Sequence, residues 1–231
     1  MSGDLLPWFL FCAFVLAMLA LDLFVLHRDA HEVSKREALG WSVFWIGLAM
    51  VFAAGVFVFR GSEDGVQWLT GYVIEKSLSV DNIFVFLMLF TYFAVPAELQ
   101  RRTLVYGVLG AIALRIVMIL VGAWLIAQFH WIIYVFGLFL LATGGKMLFF
   151  AGQKPDLERN PALRWMRGHL ALTPGFDGER FWVLKDGVRT YTPLFLVLVM
   201  IGVTDIVFAV DSIPAIFAIT DDPFIVMTSN I

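Results

Sequence analysis

Six long apolar stretches, broken by short polar segments, organise the chain. Their lengths predict membrane-crossing helices at about 5–26, 41–59, 67–93, 104–129, 131–151 and 192–219. The closing stretch, Pro223 to Ile231, reads as the opening of a seventh helix, far shorter than a crossing, as in a truncated chain. Between the fifth and sixth spans lies a longer segment, about 152–191, rich in Pro and Gly. Its end, Phe181 to Tyr191, reads as a small β-hairpin turning at Asp186-Gly187. Within it, Leu163 to Arg167 is basic and aromatic, as a segment lying on a membrane surface would be. A solvated connector fits that segment equally well. The whole is read as one integral-membrane domain of the all-α class, a polytopic helix bundle.

Composition agrees with the pattern. Of 231 residues, 61% are hydrophobic and 15% charged, and the mean hydropathy is +0.87. A soluble domain rarely has this balance. The first apolar stretch follows Asp4 with no preceding Lys or Arg and is too long for a signal-peptide core, so it reads as a retained helix. A net charge of -3 argues against a nucleic-acid surface. Cys12 is the single cysteine, which excludes an intrachain disulfide and a CxxC metal site.

Basic residues set the orientation. The first polar loop holds Arg28, Lys35 and Arg36, the third Arg101 and Arg102, and the fifth seven Lys and Arg. The second loop has only Arg60, and the fourth and sixth have none. The positive-inside rule then places loops one, three and five in the cytoplasm and the N-terminus outside.

Against this apolar background one pattern occurs twice. Glu75-Lys76-Ser77-Leu78-Ser79-Val80-Asp81-Asn82-Ile83 recurs as Asp205-Ile206-Val207-Phe208-Ala209-Val210-Asp211-Ser212-Ile213. In each copy an acid precedes a Val-Asp pair by the same interval, and a small polar residue and Ile follow. The copies fall on spans of opposite direction, which predicts an inverted-topology repeat with a substrate site near the bilayer midplane. Each charge at a helix centre costs roughly 2.5–3.5 kcal/mol on insertion scales. The four acids therefore need a cation, a proton or a basic partner. Arg115, mid-helix, is the best counter-ion candidate, ahead of Lys76 and Lys146. Pairing that merely fixes helix packing is the structural alternative.

Six residues of helix give about 9 Å of rise and about 120° of rotation, so both acids of one copy cannot face one ion. Asp81 and Asp211 are taken as the central pair, because Asn82 and Ser212 add oxygen ligands beside them. Glu75 and Asp205 are then secondary ligands or proton carriers. Pro214 leaves the carbonyl of Val210 without its usual helical donor, and that oxygen is a further candidate ligand. Carboxylate, amide, hydroxyl and carbonyl oxygens suit Mg2+, Ca2+ or Mn2+. His27, His31, His130 and His169 fall in loops or at span ends, which disfavours a zinc or copper site. Thr228, Ser229 and Asn230 read either as a polar helix start or as further ligands.

At these motifs the sequence resembles the TerC family of integral membrane proteins, within the LysE-like superfamily, and most closely its Alx subgroup. The matching stretches are EKSLSVDNIFVF from Glu75, DIVFAVDSIPAIFAIT from Asp205 and DPFIVMTSNI from Asp222, with RRTLVYGVLG from Arg101. The resemblance implies a multi-pass protein of the bacterial inner membrane that exports Mn2+. The paired acidic motifs add protons as the exchanged ion, and no prosthetic group is expected. It implies metal-site roles for Glu75, Asp81, Asn82, Asp205, Asp211 and Ser212. Two other classes remain open: a membrane scaffold that supplies metal to exported proteins or joins secretion machinery, and an exporter of a small organic cation. No nucleophile triad, phosphate loop or zinc-hydrolase motif points to an enzyme.

Overall fold

A computed structural model describes residues 5–21, 35–149, 157–185 and 187–231. His27, Arg28, His31, Lys154 and Asp186 lie outside the described residues. The elements run α1 (Leu5–Leu21), α2 (Lys35–Arg60), α3 (Ser62–Tyr92), α4 (Ala97–Gln128), α5 (Ile132–Phe149), α6 (Pro161–His169), β1 (Trp182–Lys185), β2 (Val188–Tyr191), α7 (Pro193–Phe217) and α8 (Pro223–Asn230).

Each predicted span corresponds to a helix, and several helices extend beyond the apolar run. The 104–129 span is α4, which begins at Ala97 after Pro96 and takes in the polar turn Glu98 to Arg102. Among the described helices, residues 36–60, 97–128 and 193–217 are long and apolar enough to cross a bilayer. Residues 6–21 and 132–146 form shorter apolar helices. The 31-residue α3 has the length, but Glu75, Lys76 and Asp81 interrupt its middle.

Contacts at three glycines and at the helix ends set the directions in the bundle core. Gly107 of α4 lies against Ile201 of α7, and Gly122 lies against Ile213 and Phe217. Helices α4 and α7 therefore run parallel. Gly71, early in α3, lies near Ile216, late in α7. At the other end Leu89 and Phe90 of α3 cluster with Leu194 and Val197 of α7. Helix α3 is thus antiparallel to α7, and the two acidic motifs sit on oppositely directed neighbours, as an inverted repeat requires.

Small residues allow these helices to approach closely in lipid. A Cβ added to Gly107 would meet Ile201 Cγ2 at 2.8 Å. Gly107→Leu should lower stability by about 1–3 kcal/mol through overpacking, seen as a lower melting temperature of the purified protein in detergent. Between α2 and α3 a single residue, Gly61 at φ 98°, turns the chain. That left-handed backbone favours glycine.

The segment between α5 and α7 folds over the end where α3 stops and α4 and α7 start. Asn160 caps α6 by accepting from the backbone N–H of Ala162 and Leu163, with Pro161 in the first turn. Leu163 and Met166 are buried on the bundle end, while Arg164, Trp165 and Arg167 face outward. The apolar side of α6 is thus covered by this protein's own helices. Strands β1 and β2 pair antiparallel from Trp182↔Tyr191 to Lys185↔Val188. That register leaves a two-residue turn ending at Gly187, whose φ is 77°. Thr192 then anchors the start of α7 by donating to the carbonyl of Arg180 at 2.7 Å.

Candidate functional site

Three helical stripes meet near mid-bundle. On α3 the buried residues Trp68, Gly71, Glu75 and Leu89 are spaced by three, four and fourteen residues. On α4 the stripe runs Leu99, Thr103, Gly107, Arg115, Ile119 and Gly122. On α7 it includes Val197, Ile201, Asp205, Ala209 and Ser212. These spacings keep one face of each helix turned inward. Each stripe brings one charged side chain to the shared interior.

Arg115 joins the three helices. Its Nη1 donates to Glu75 Oε1, and its Nη2 donates to Asp205 Oδ1 at 3.3 Å. Nη1 also reaches the main-chain oxygen of Asn230 in α8 at 3.3 Å. Glu75, Asp205, Arg115 and Asn230 are 7%, 3%, 9% and 7% exposed. With both acids ionised, two carboxylates face one guanidinium, which leaves a single net negative charge. Three buried acceptors at this cluster, Glu75 Oε2, Asp205 Oδ2 and Asn230 Oδ1, have no hydrogen-bond partner among the described residues. Such atoms are costly unless a cation, proton or water meets them.

Beside the cluster opens a cavity of about 490 Å3 between α1, α2, α3, α4 and α8. Its polar wall is Glu75, Lys76, Ser79, Arg115, Ser229 and Asn230, and aromatic and aliphatic side chains such as Phe11, Phe52 and Trp68 form the rest. Asp205 is not on this wall; Arg115 reaches it from the wall.

Helix α8 completes the site. Asp222 caps it by accepting from Phe224 and Ile225 N–H, and Arg60 pairs with Asp222 and Asp64. Trp68 Nε1 donates to Thr228 Oγ1 at 3.0 Å, so Thr228, Ser229 and Asn230 are all buried. Thr228→Val leaves the buried indole N–H unpaired. It should lower stability by about 1–3 kcal/mol in a detergent denaturation series.

The sequence-derived site residues separate into two sets. Glu75 and Asp205 come together around Arg115. Asp81 does not join them and is exposed. Asp211 is half-buried and interacts electrostatically with Lys146. Asn82 and Ser212 turn inward, and Asn82 Oδ1 and Ser212 Oγ are buried without a hydrogen-bond partner among the described residues. Helical arithmetic accounts for this: Glu75 and Asn82, like Asp205 and Ser212, are seven residues apart and share a face. Val210 is exposed and lines a second, apolar cavity of about 360 Å3 together with Pro214. Helix α7 runs unbroken through Pro214. Among the described residues, no three Asp, Glu, His or Cys side chains converge as a metal-holding group. The cluster is an acid–guanidinium–acid arrangement with amide and hydroxyl groups beside it.

Residues 60–231 match the model of the integral membrane protein TerC family. A protein of Escherichia coli (strain K12), described as "Putative membrane-bound redox modulator Alx", is 50% identical over 99% of this chain and 74% of its own length. A Myxococcus xanthus membrane protein, STKORF319, is 52% identical over 97% of this chain and 70% of its own. A Rickettsia bellii membrane protein is 37% identical, covering 98% and 75%. No solved structure matches.

Proposed function

The chain belongs to the TerC family of integral membrane proteins, and we propose that it is a secondary transporter moving a divalent cation, Mn2+, outward. The observation that carries this reading is the buried Glu75–Arg115–Asp205 cluster, with three unpartnered acceptor oxygens, beside a polar-walled cavity. Glu75 and Asp205 are the central carboxylate ligands. Asn230 supplies an amide oxygen and Ser229 a hydroxyl from the same wall. Hard oxygen donors without imidazole or thiolate suit Mn2+, Mg2+ and Ca2+. The family resemblance supplies the choice of Mn2+ and the outward direction.

Protons compete with the ion for the carboxylates and favour its release. Asp81 and Asp211, six residues and about one and two-thirds helical turns from the central acids, flank the site as steps on the access or proton path. Asn82 and Ser212 carry the inward stripe past the cluster. The bilayer is the inner membrane of a bacterium. The basic loops, with the α6 and hairpin segment, lie on the cytoplasmic side. The Escherichia coli relative is described as "Putative membrane-bound redox modulator Alx". The single cysteine of this sequence forms no dithiol by itself, and on the transport reading an effect on redox state would run through manganese supply.

Two observations support other readings. The cavity is large enough for an amino-acid-sized cation. The hairpin exposes Trp182 and Leu184, as a docking surface on a scaffold would. One experiment separates all three. Purified protein is reconstituted alone in liposomes holding a manganese-sensitive dye, under an imposed pH gradient. Mn2+ flux that lysine and arginine do not inhibit is the expected result. Competition by those amino acids favours the organic-cation reading. Mn2+ binding without flux favours the scaffold.

A further inference from the structure

Arg115 stands where the transported ion has to go. Its guanidinium uses one oxygen of Glu75 and one of Asp205, and leaves the second oxygen of each buried and unpartnered. Glu75 and Arg115 lie on the cavity wall and Asp205 does not. An ion entering from the cavity and bridging both carboxylates must therefore take the guanidinium's place. A divalent ion and a guanidinium cannot share so small a desolvated site, because like charges at contact distance repel strongly in a low dielectric. The cavity beside Arg115 gives its long side chain room to withdraw, and its third contact is only a main-chain oxygen of α8.

Resting on the transport reading above, we infer that Arg115 is a tethered cation that fills the carboxylate site whenever the transported ion is absent. The two exchange in each cycle. The charge balance shows why this matters in a bilayer. With Mn2+ bound and Arg115 withdrawn, the two carboxylates are neutralised by the ion. With Arg115 in place and no ion, one net negative charge remains. With neither, and with no proton taken up, two bare carboxylates sit in an apolar interior, and that form is too costly to change conformation. Arg115 therefore lets the unloaded protein return at a pH where the two acids stay ionised, which net transport requires there. Exchange of one Mn2+ for another needs no such return.

This difference supplies the test. Net Mn2+ efflux into manganese-free medium and exchange of radioactive Mn2+ with Mn2+ on both sides are measured in the same liposomes. Wild type should perform both. Arg115→Gln should lose net efflux by at least about tenfold, keep measurable self-exchange, and bind Mn2+ about tenfold more tightly, since a competing charge is gone. Folding is checked by the melting temperature with Mn2+ present. A folded Arg115→Gln that loses exchange and binding together makes Arg115 a packing residue and overturns the inference. Unchanged net efflux overturns it too. If Arg115→Gln does not fold, Arg115→Lys decides. Its single ammonium cannot fork to both acids, so reduced but measurable net efflux with tighter Mn2+ binding is expected, and binding no tighter than wild type overturns the inference. A wild type with neither flux nor Mn2+ binding refutes the transport reading itself and takes this inference with it.

Discussion

Arg115→Leu should destabilise the protein by about 3–5 kcal/mol in detergent denaturation, because it leaves Glu75 and Asp205 buried without their shared partner. The loss is large against a total stability of roughly 5–15 kcal/mol. It does not mean that the cluster is there for stability. Replacing all three members together, Glu75→Met, Arg115→Leu and Asp205→Leu, should recover most of the lost stability, since buried ion clusters are often matched by apolar residues of similar volume. That triple variant should carry no Mn2+. A protein as stable as wild type but inert would separate the two roles. A triple variant no more stable than Arg115→Leu would show that the cluster is needed for the fold.

Glu75→Gln or Asp205→Asn should cut Mn2+ flux by about 10- to 100-fold, the loss of one charged ligand worth about 1.5–3 kcal/mol. Both substitutions keep size and hydrogen-bonding capacity, so they remove charge with little change in packing. Asp81→Asn, on the exposed side of α3, should have a smaller effect on Mn2+ affinity and act chiefly on rate. Stopped-flow dye quenching in liposomes reads both quantities. Equal losses of affinity at Glu75 and Asp81 would mean that the ion uses both faces of α3.

Much of the architecture was legible from hydropathy alone. Every apolar run became a helix, and the repeated acidic motif fell on the antiparallel pair α3 and α7. Helix starts were less legible. The first turns of α2, α3 and α4 are polar, from Lys35, Ser62 and Ala97, and a hydropathy window stops where the apolar run stops. The hairpin was visible in the Asp186-Gly187 pair between two short β-prone runs. The choice of which acids meet was not visible in the motif itself. The six-residue repeat draws the eye to Asp81 and Asp211, whose neighbours Asn82 and Ser212 look like ligands. The inward stripe instead runs Trp68, Glu75, Asn82 and Leu89 at seven-residue steps, and reading that period around each acid would have turned Glu75 inward. Nothing local to Arg115 states that it bridges two helices 40 and 90 residues distant. Nor does the short segment Thr228 to Asn230 reveal that it packs on Trp68, Gly71 and Arg115. Those contacts exist only once the bundle has formed.

The central claim is that the transported ion binds between Glu75 and Asp205. Its most direct test is Mn2+ binding to the purified protein, followed by the loss of the free-ion electron paramagnetic resonance signal on titration. Saturable binding in wild type that is lost in both Glu75→Gln and Asp205→Asn, and kept in Asp81→Asn, is the predicted result. Binding unchanged in folded Glu75→Gln and Asp205→Asn would contradict the account and place the ion elsewhere in the bundle.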